Sequence, residues 1–486
     1  MKVLRRTRKE ETAPRDAKAP PLVDPDLILR PLESWGVRLE LDRVERLLEH
    51  LGSPQESYAT VLVAGTNGKG STACLLASMT AAAGYRTGLF TSPHLEGVEE
   101  RLRIDGAAVS RPELAELLQE IVGRAGSGNL EPPTYFEALT AAACLWFARS
   151  KIELAVFEVG MGGRLDATNS CSPVLSLVSE IGLDHVKPLG NTLGEIAREK
   201  AGIFRSGVVS ISGAGEPEAR KALRACALET GAEFREVADS VKQVAAEEGS
   251  TSQRVRVETT RRGYTFELGL LGEHQVRNLL LALAAAEHLA VDGWSGLDRQ
   301  AIERGVRQCS WPGRLERVEL PAGKIIWLDV AHNPQGARSL ARFLATHLAE
   351  YDLLLGIVKD KDARGILSAV APGAALITLT CPPGGRGLDP EALRAWLPGR
   401  PVEIEQDPVA ALETALTGSR PLLVCGSLYL VGWVRKALRQ RFGVPGPAVD
   451  FAARAVRAAR RRAGSAHRVG ALRCELQPQP FRFRGR

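Results

Sequence analysis

The fold class is decided by a glycine-rich run near the start of the chain, Gly65-Thr66-Asn67-Gly68-Lys69-Gly70-Ser71. The run follows the β-rich segment Val61-Leu62-Val63-Ala64 and leads into a helical pattern over residues 71–83. Glycines at such a turn let backbone N–H groups point inward at the positive end of a helix, where phosphate binds. Lys69 would neutralise the outer phosphates, and Ser71 or Thr72 would join the shell of a Mg²⁺ ion. An ordinary glycine-rich turn is the alternative, and a lysine at this position argues against it.

Short apolar runs alternate with helical patterns along most of the chain. Buried strands are predicted at residues 153–159, 174–179 and 207–212, which indicates an α/β fold with a mostly parallel sheet covered on both faces. The first series of strands ends near Trp311-Pro312-Gly313, whose proline and glycine suit a hinge between two domains. A second series of strands then predicts a smaller, doubly wound, Rossmann-like domain, with runs at 325–329, 352–358, 375–379, 402–406 and 421–425.

The predicted domain boundaries follow these changes in pattern. We expect a flexible arm at residues 1–20, a first domain at 21–313, a second at 314–440 and an Arg-rich, poorly structured tail at 441–486. A short amphipathic helix within the tail is predicted over 450–463. The formal charge of +6 resides in the ends, because residues 1–20 carry +4 and residues 450–486 carry +8. We therefore expect no nucleic-acid partner apart from a contact of the tail.

Composition argues against several other classes of protein. No apolar run approaches the ~20 residues of a membrane-spanning helix, and no apolar segment of a secretory signal follows the basic start. A cytoplasmic enzyme without a membrane partner is therefore expected. The eight cysteines are scattered singly, without a C-x-x-C pair. This spacing argues against a zinc site or a disulfide framework and fits reduced thiols.

Two segments carry further candidate residues. The longer one is Glu158-Val159-Gly160-Met161-Gly162-Gly163-Arg164-Leu165-Asp166-Ala167-Thr168-Asn169. Its Glu158 ends a buried strand at the carboxyl edge of the sheet, near the phosphate loop, where a carboxylate suits Mg²⁺. The shorter one, Thr134-Tyr135-Phe136-Glu137, combines an aromatic ring that stacks on a flat heterocycle with a Glu that accepts hydrogen bonds from ring N–H groups. The same tetrapeptide also fits a helix start, with Thr134 as cap and Glu137 in a capping box.

These motifs resemble the folylpolyglutamate synthase and dihydrofolate synthase branch of the Mur ligase superfamily. The resemblance covers roughly residues 35–440 and leaves both ends unexplained. Besides the phosphate loop and the segments at 134–137 and 158–169, it is carried by matches at residues 91–95, 100–104, 184–185, 198–204, 272–278, 311–316 and 328–334. It implies a Mur-ligase-like P-loop domain that binds ATP and folate, followed by a Rossmann-like glutamate-ligase domain.

The resemblance also implies roles for single residues. Mg²⁺ would be held by Ser92, Glu158, His185 and Lys200, with the lysine as a carbamate because an ammonium group would repel the ion. The residues implied for ATP are Gly65, Thr66, Asn67, Gly68, Lys69, Gly70, Ser71, Thr72, Asn278, Arg314 and Asp329. Those implied for pteroate are Thr134, Tyr135, Phe136, Glu137, Leu165, Asp166 and Ala167. Those implied for catalysis are Lys69, Glu158, His185, Lys200 and His332.

The implied activity is ATP-dependent amide ligation. L-Glutamate would be joined to dihydropteroate, to tetrahydrofolate and folylpolyglutamates, or to both kinds of acceptor, through an acyl phosphate with release of ADP and phosphate. The resemblance also implies two or more Mg²⁺ ions, a monovalent cation and a monomeric state. One alternative is a Mur-type ligase with another carboxylate acceptor, such as a cell-wall peptide precursor. The other alternative is a nucleotide-binding regulatory ATPase, which does not need the implied metal ligands.

Overall fold

A computed structural model describes residues 24–36, 38–128, 130–184, 186–321 and 323–443, with Val186 and Lys187 described by their backbone alone. The predicted arm, the Arg-rich tail and the tail helix at 450–463 lie outside the described residues. So does His185.

The first domain is built on a mixed sheet that has eight strands within the described residues. In chain order they are β1 (Ala59–Ala64), β2 (Thr87–Phe90), β3 (Leu102–Ile104), β4 (Ala107–Ala108), β5 (Leu154–Glu158), β6 (Pro173–Val178), β7 (Val209–Ser212) and β8 (Glu233–Glu236). Their spatial order is β4-β3-β2-β5-β1-β6-β7-β8. In this spatial order, the six neighbouring strands β2, β5, β1, β6, β7 and β8 run parallel. Strands β3 and β4 add an antiparallel edge.

Helices cover both faces of this sheet, as the continuous apolar strands predict. They are α1 (Pro25–Glu33), α2 (Asp42–His50), α3 (Lys69–Ala82), α4 (Arg111–Ser127), α5 (Tyr135–Arg149), α6 (Val186–Leu189), α7 (Leu193–Ala201), α8 (Pro217–Thr230), α9 (Val237–Ser240), α10 (Glu273–Val291) and α11 (Arg299–Gln308). Alternate residues of β1 point to opposite faces. Leu62 therefore joins a core with α4, α5, α7 and α8, whereas Val61 and Val63 join a core with α3, α10 and α11.

A three-stranded antiparallel sheet was not predicted from the sequence. It comprises β9 (Val241–Glu248), β10 (Gln253–Thr259) and β11 (Gly263–Leu268), in the order β11-β10-β9. Alternate residues of β10 are buried, among them Val255 and Val257 in the core beside α3 and α10. This period of two is the ordinary signal of a half-buried strand, so it was available in the sequence.

The second domain has the predicted doubly wound architecture. Its described strands are β12 (Glu316–Glu319), β13 (Ile325–Leu328), β14 (Tyr351–Leu355), β15 (Ala374–Leu379), β16 (Val402–Ile404) and β17 (Leu422–Cys425), in the spatial order β12-β13-β17-β14-β15-β16. Strand β12 pairs antiparallel with β13, and the other pairs are parallel. The helices are α12 (Pro334–His347), α13 (Ala363–Val370), α14 (Pro390–Arg394), α15 (Pro408–Thr417) and α16 (Leu428–Phe442). In the described part of the chain, no helix is both long and apolar enough to span a membrane.

Candidate active site

The phosphate loop joins β1 to α3 in a conformation that requires glycine. Gly65 has φ 144° and Gly68, the N-cap of α3, has φ 87°. A Cβ atom on Gly65 would lie 2.0 Å from Ser179 Oγ, and one on Gly68 would lie 2.1 Å from Asn278 Oδ1. Helix α3 begins at Lys69, two residues earlier than the sequence predicts, so the lysine lies in its first turn. The loop thus presents backbone N–H groups at a helix N-terminus, the arrangement that binds phosphate.

A cleft of about 430 Å³ lies between the two domains, with the phosphate loop in its wall. This volume suits a small-molecule substrate. The structure brings most of the residues predicted for ATP, metal and catalysis to this cleft: Gly65 to Ser71, Ser92, Glu158, Lys200, Asn278, Arg314, Asp329 and His332. Thr72 is buried behind the loop, and its Oγ1 has no hydrogen-bond partner within the described residues.

Glu158 ends β5 and places a buried carboxylate beside the loop. Its Oε2 accepts a hydrogen bond from the backbone N–H of Ser92 at 3.1 Å. Burial raises the pKa of Glu158, and the nearby Lys69 cation opposes this rise most strongly. An oxygen donor of this kind suits a hard divalent cation. In the described part of the chain, no three His, Cys, Asp or Glu side chains form a metal-binding group. The partners predicted for Glu158 at a metal site are Ser92 and Lys200, which line the same cleft, and His185, which lies outside the described residues.

Lys200 lies on α7 with its side chain buried against the phosphate loop. Its Nζ donates a hydrogen bond to the Gly65 carbonyl at 2.7 Å. Burial, followed by the Lys69 cation, lowers the pKa of Lys200 to about 7. The close approach of α7 depends on Gly163, because a Cβ atom there would lie 2.7 Å from the carbonyl oxygens of both Glu199 and Lys200. A buried amine that is partly neutral near pH 7 is the form that reacts with CO₂ to give a carbamate.

The second domain contributes the partly exposed guanidinium of Arg314 and the buried carboxylate of Asp329 to the cleft. Asp329 accepts backbone N–H bonds from Leu315 and Ala331, both at 2.8 Å. Burial raises the pKa of Asp329, and Arg314 opposes the rise. Burial also lowers the pKa of Arg314, and the carboxylates of Asp329 and Glu158 oppose this fall. The Arg314 cation therefore interacts electrostatically with a carboxylate of each domain.

His332 is held in the neutral form at the edge of the cleft. Its Nδ1 lies 2.9 Å from the Val330 carbonyl, which fits a proton on that nitrogen. Burial and the Lys361 cation lower the pKa of His332 to about 4. The imidazole is thus unprotonated at neutral pH and carries no charge toward bound phosphate.

The residues implied for pteroate lie outside the wall of this cleft. Thr134 and Glu137 form the alternative capping box at the start of α5. Both Glu137 oxygens also accept from Arg43 Nε at 3.0 Å, and the residue is 2% exposed. The Glu137 carboxylate is thus bound within the protein, and its role toward ring N–H groups stays a prediction.

Asp166 is likewise saturated with internal hydrogen bonds. It accepts from the backbone N–H groups of Met161 at 2.9 Å and Thr168 at 3.0 Å, and from the Thr168 hydroxyl at 2.6 Å. Ala167 is buried, whereas Tyr135, Phe136 and Leu165 are partly exposed. The Phe136 ring packs so closely under Gly160 that a Cβ atom there would lie 2.6 Å from its Cζ. These segments therefore offer shape and apolar surface rather than free polar groups.

Several polar residues of the cleft were not singled out from the sequence. Lys361 and the amides of Asn333 and Gln335 come from the second domain, and Asp184 faces them from the first. The adjoining matches at 184–185 and 328–334 were the available signal. Arg43, the partner of Glu137, carried no signal, because it lies 94 residues away in the sequence.

Comparison with known proteins agrees with this two-domain arrangement. The Mur ligase middle domain matches residues 63–286, and the glutamate ligase domain of Mur ligases matches residues 313–428. A two-domain ATP-dependent ligase of the Mur type is thereby defined.

Individual relatives identify the branch of the Mur ligases to which the chain is similar. A Bacillus subtilis dihydrofolate synthase/folylpolyglutamate synthase is 32% identical, over 83% of this chain and 96% of that protein. A Haloferax volcanii protein, described as a probable bifunctional folylpolyglutamate synthase/dihydropteroate synthase, is 36% identical over 83% of this chain. The match spans 49% of that longer protein.

Solved structures agree. Mycobacterium tuberculosis folylpolyglutamate synthase with ADP gives a TM-score of 0.77 at 31% identity, over 85% of this chain and 99% of that chain. A bifunctional folylpolyglutamate synthase/dihydrofolate synthase with Mn, AMPPNP and L-glutamate bound gives a TM-score of 0.73 at 31% identity, over 86% of this chain and 98% of that chain. The chain therefore belongs to the folylpolyglutamate synthase family of Mur ligases, enzymes that use ATP and a divalent metal to ligate glutamate in folate metabolism.

Proposed function

We propose that this protein joins L-glutamate to both dihydropteroate and reduced folylpolyglutamates, as a folylpolyglutamate synthase with dihydrofolate synthase activity. The observation that carries the proposal is the pair of buried charged groups beside the phosphate loop, Glu158 and Lys200. A nucleotide-binding regulator has no need to bury a carboxylate and a partly neutral amine against this loop. The names of the relatives, which include bifunctional enzymes, support the choice of folate acceptors.

The residues of the cleft fit a reaction that depends on charge neutralisation and positioning. ATP phosphates would lie on the loop at 65–72, with Lys69 and Arg314 offsetting their charge. The acceptor carboxylate attacks the γ-phosphorus, ADP leaves, and an acyl phosphate remains. The amino group of L-glutamate then attacks the acyl carbon, forming the amide bond as phosphate leaves with the bonding electron pair. The glutamate ammonium group must lose a proton before this attack, which frees its lone pair, and neutral His332 at the edge of the cleft adds no positive charge that would oppose its binding.

Magnesium fits the donor groups of this site. Glu158, Ser92 and a carbamate on Lys200 are hard oxygen donors, as Mg²⁺ prefers, and His185 is the remaining ligand that we propose. A bound Mg²⁺ would supply positive charge next to the transferring phosphoryl group. The carbamate forms when the neutral Lys200 amine attacks CO₂ and releases one proton. Two or more ions, a monovalent cation, a monomeric state, a cytoplasmic location and a tail contact with a polyanion remain predictions.

The acceptor is tested by measuring ADP release with Mg-ATP and L-glutamate, adding 7,8-dihydropteroate or tetrahydrofolate separately. We expect each acceptor to stimulate release. Stimulation by tetrahydrofolate alone would limit the enzyme to polyglutamylation. Stimulation by neither would contradict the proposed acceptors and favour a Mur-type ligase with another carboxylate, such as a cell-wall peptide precursor. Release that needs no acceptor at all would instead favour a regulatory ATPase.

A further inference from the structure

The two domains meet through two sets of contacts of different character. On the side of α16 the contact is tight and involves the backbone, since a Cβ atom on Gly432 would lie 1.8 Å from the Leu95 carbonyl oxygen. Glu96 in the same loop pairs with Arg435 and, at 2.7 Å, with Arg439. Across the cleft, polar side chains of the two domains contact each other. The α16 side is thus joined by a close backbone contact, whereas the cleft side is joined by hydrogen bonds and an ion pair between side chains.

An ion pair lies at the centre of the cleft-side contacts. Lys361 Nζ lies 2.7 Å from Asp184 Oδ1, and the two side chains are 9% and 12% exposed. The other Asp184 oxygen lies 3.4 Å from Asn333 Nδ2 and 3.8 Å from His332 Nε2. Asp184 belongs to the first domain, and its three partners belong to the second.

The same contacts reach the phosphate loop. Asn333 Nδ2 donates to Asn67 Oδ1 at 3.0 Å, and Asn67 Nδ2 donates to Gln335 Oε1 at 2.7 Å. Thr66 Oγ1 also bonds to both the N–H and the carbonyl of Gly182, each at 3.0 Å. Gly182 leaves room for Gln335, because a Cβ atom there would lie 2.1 Å from Gln335 Oε1. The loop and the segment that carries Asp184 therefore meet the second domain as one surface.

We propose that Lys361 is a positioning residue of the ligase, whose ion pair with Asp184 holds the second domain closed over the phosphate loop. The expected effect on ligase turnover rests on the proposed function. The effect on closure of the two domains does not, because closure does not depend on the identity of the substrate. Replacing Lys361 removes its 2.7 Å contact with Asp184, which joins the two domains only while the cleft is closed, so the substitution destabilises the closed state more than the open state. The substitution therefore shifts the population toward an open state. The loop that binds phosphate and Asn278 stay on the first domain, so nucleotide binding persists.

The test compares Lys361→Met with Lys361→Arg and with Lys359→Met, a matched control at an exposed lysine of the same loop. We expect Lys361→Met to lower kcat by about tenfold or more, while the Kd for AMPPNP changes less than about threefold. Its radius of gyration from small-angle X-ray scattering with AMPPNP should exceed that of the wild type. Lys361→Arg should restore both kcat and the compact state, and Lys359→Met should resemble the wild type in both.

Scattering keeps this inference separate from the proposed function, since closure is measured without any acceptor. The double variant Asp184→Asn/Lys361→Met should be no less compact than Lys361→Met alone, because both proteins have lost the same ion pair. A Lys361→Met protein as compact as the wild type would overturn the inference, whatever its turnover. An unchanged kcat in that variant would overturn it as well.

Discussion

Two regions of the first domain bury charged side chains for different purposes. Beside the phosphate loop, the Glu158 carboxylate accepts a hydrogen bond from the Ser92 N–H group, and burial shifts the pKa of both Glu158 and Lys200 in the direction that favours the neutral form. In the segments implied for pteroate, Glu137 and Asp166 are just as buried but are filled with internal hydrogen bonds. A buried charge with few protein partners is costly unless a ligand completes it. The region beside the phosphate loop is therefore organised to bind a charged ligand, and the segments implied for pteroate are organised to provide an apolar surface of fixed shape.

The largest effect is expected for Glu158→Gln. The amide keeps an oxygen for the Ser92 N–H group but removes the negative charge that we assign to the metal site. Turnover should fall by roughly 100- to 1,000-fold, on the order of the loss of one transition-state electrostatic contact. Steady-state ADP release measures this loss, and thermal unfolding serves as the control for an intact fold. A variant with near wild-type turnover would remove Glu158 from the metal site.

Glu137→Ala should act on stability instead. It leaves Arg43 buried without its main partner and removes the capping box of α5, which should cost about 3 kcal/mol. Urea unfolding measures the change, with Arg149→Ala as control, because the exposed pair of Arg149 with Glu120 should contribute less than about 1 kcal/mol. If Glu137→Ala unfolded like the wild type but lost turnover, Glu137 would belong to the catalytic region and the comparison would fail.

Arg314→Ala tests whether the second domain contributes to the reaction rather than to binding alone. Arg314 belongs to the second domain and lines the cleft together with Asp329 and Glu158. We expect a fall in kcat of roughly 30-fold, with a smaller change in the KM for ATP. Unchanged turnover would contradict the role assigned to Arg314.

The smallest effect is expected in the pH dependence of stability. Lys200 has a pKa of about 7 in the folded protein, below the usual value of 10.5, so the unfolded chain binds more protons between these values. Stability should therefore rise with pH above about 7, by about 1 kcal/mol over the first pH unit. Urea unfolding in buffer free of CO₂ and metal measures the slope. Lys200→Met should lack this component; equal slopes for the two proteins would contradict the buried amine.

The sequence predicts the local parts of this site better than the contacts between distant parts. The phosphate loop, Glu158 and the hinge follow from strand, turn and helix patterns that extend over a few residues. The pairing of Lys361 with Asp184 joins residues 177 positions apart, and the pairing of Arg43 with Glu137 joins residues 94 apart. No local pattern encodes such pairs. The sheet β9–β11 is a different case, because the alternation of buried and exposed residues in β10 is a local pattern that the sequence carries.

The most direct test of the charged cleft as a ligase site follows oxygen atoms from the acceptor. An acceptor whose carboxylate carries heavy oxygen is incubated with Mg-ATP and L-glutamate, and the released phosphate is analysed by mass spectrometry. An acyl phosphate transfers one carboxylate oxygen to phosphate when the glutamate amine displaces it, so we predict one heavy oxygen per phosphate released. Amide product with unlabelled phosphate would contradict the acyl phosphate and, with it, the role of the cleft in activating the carboxylate.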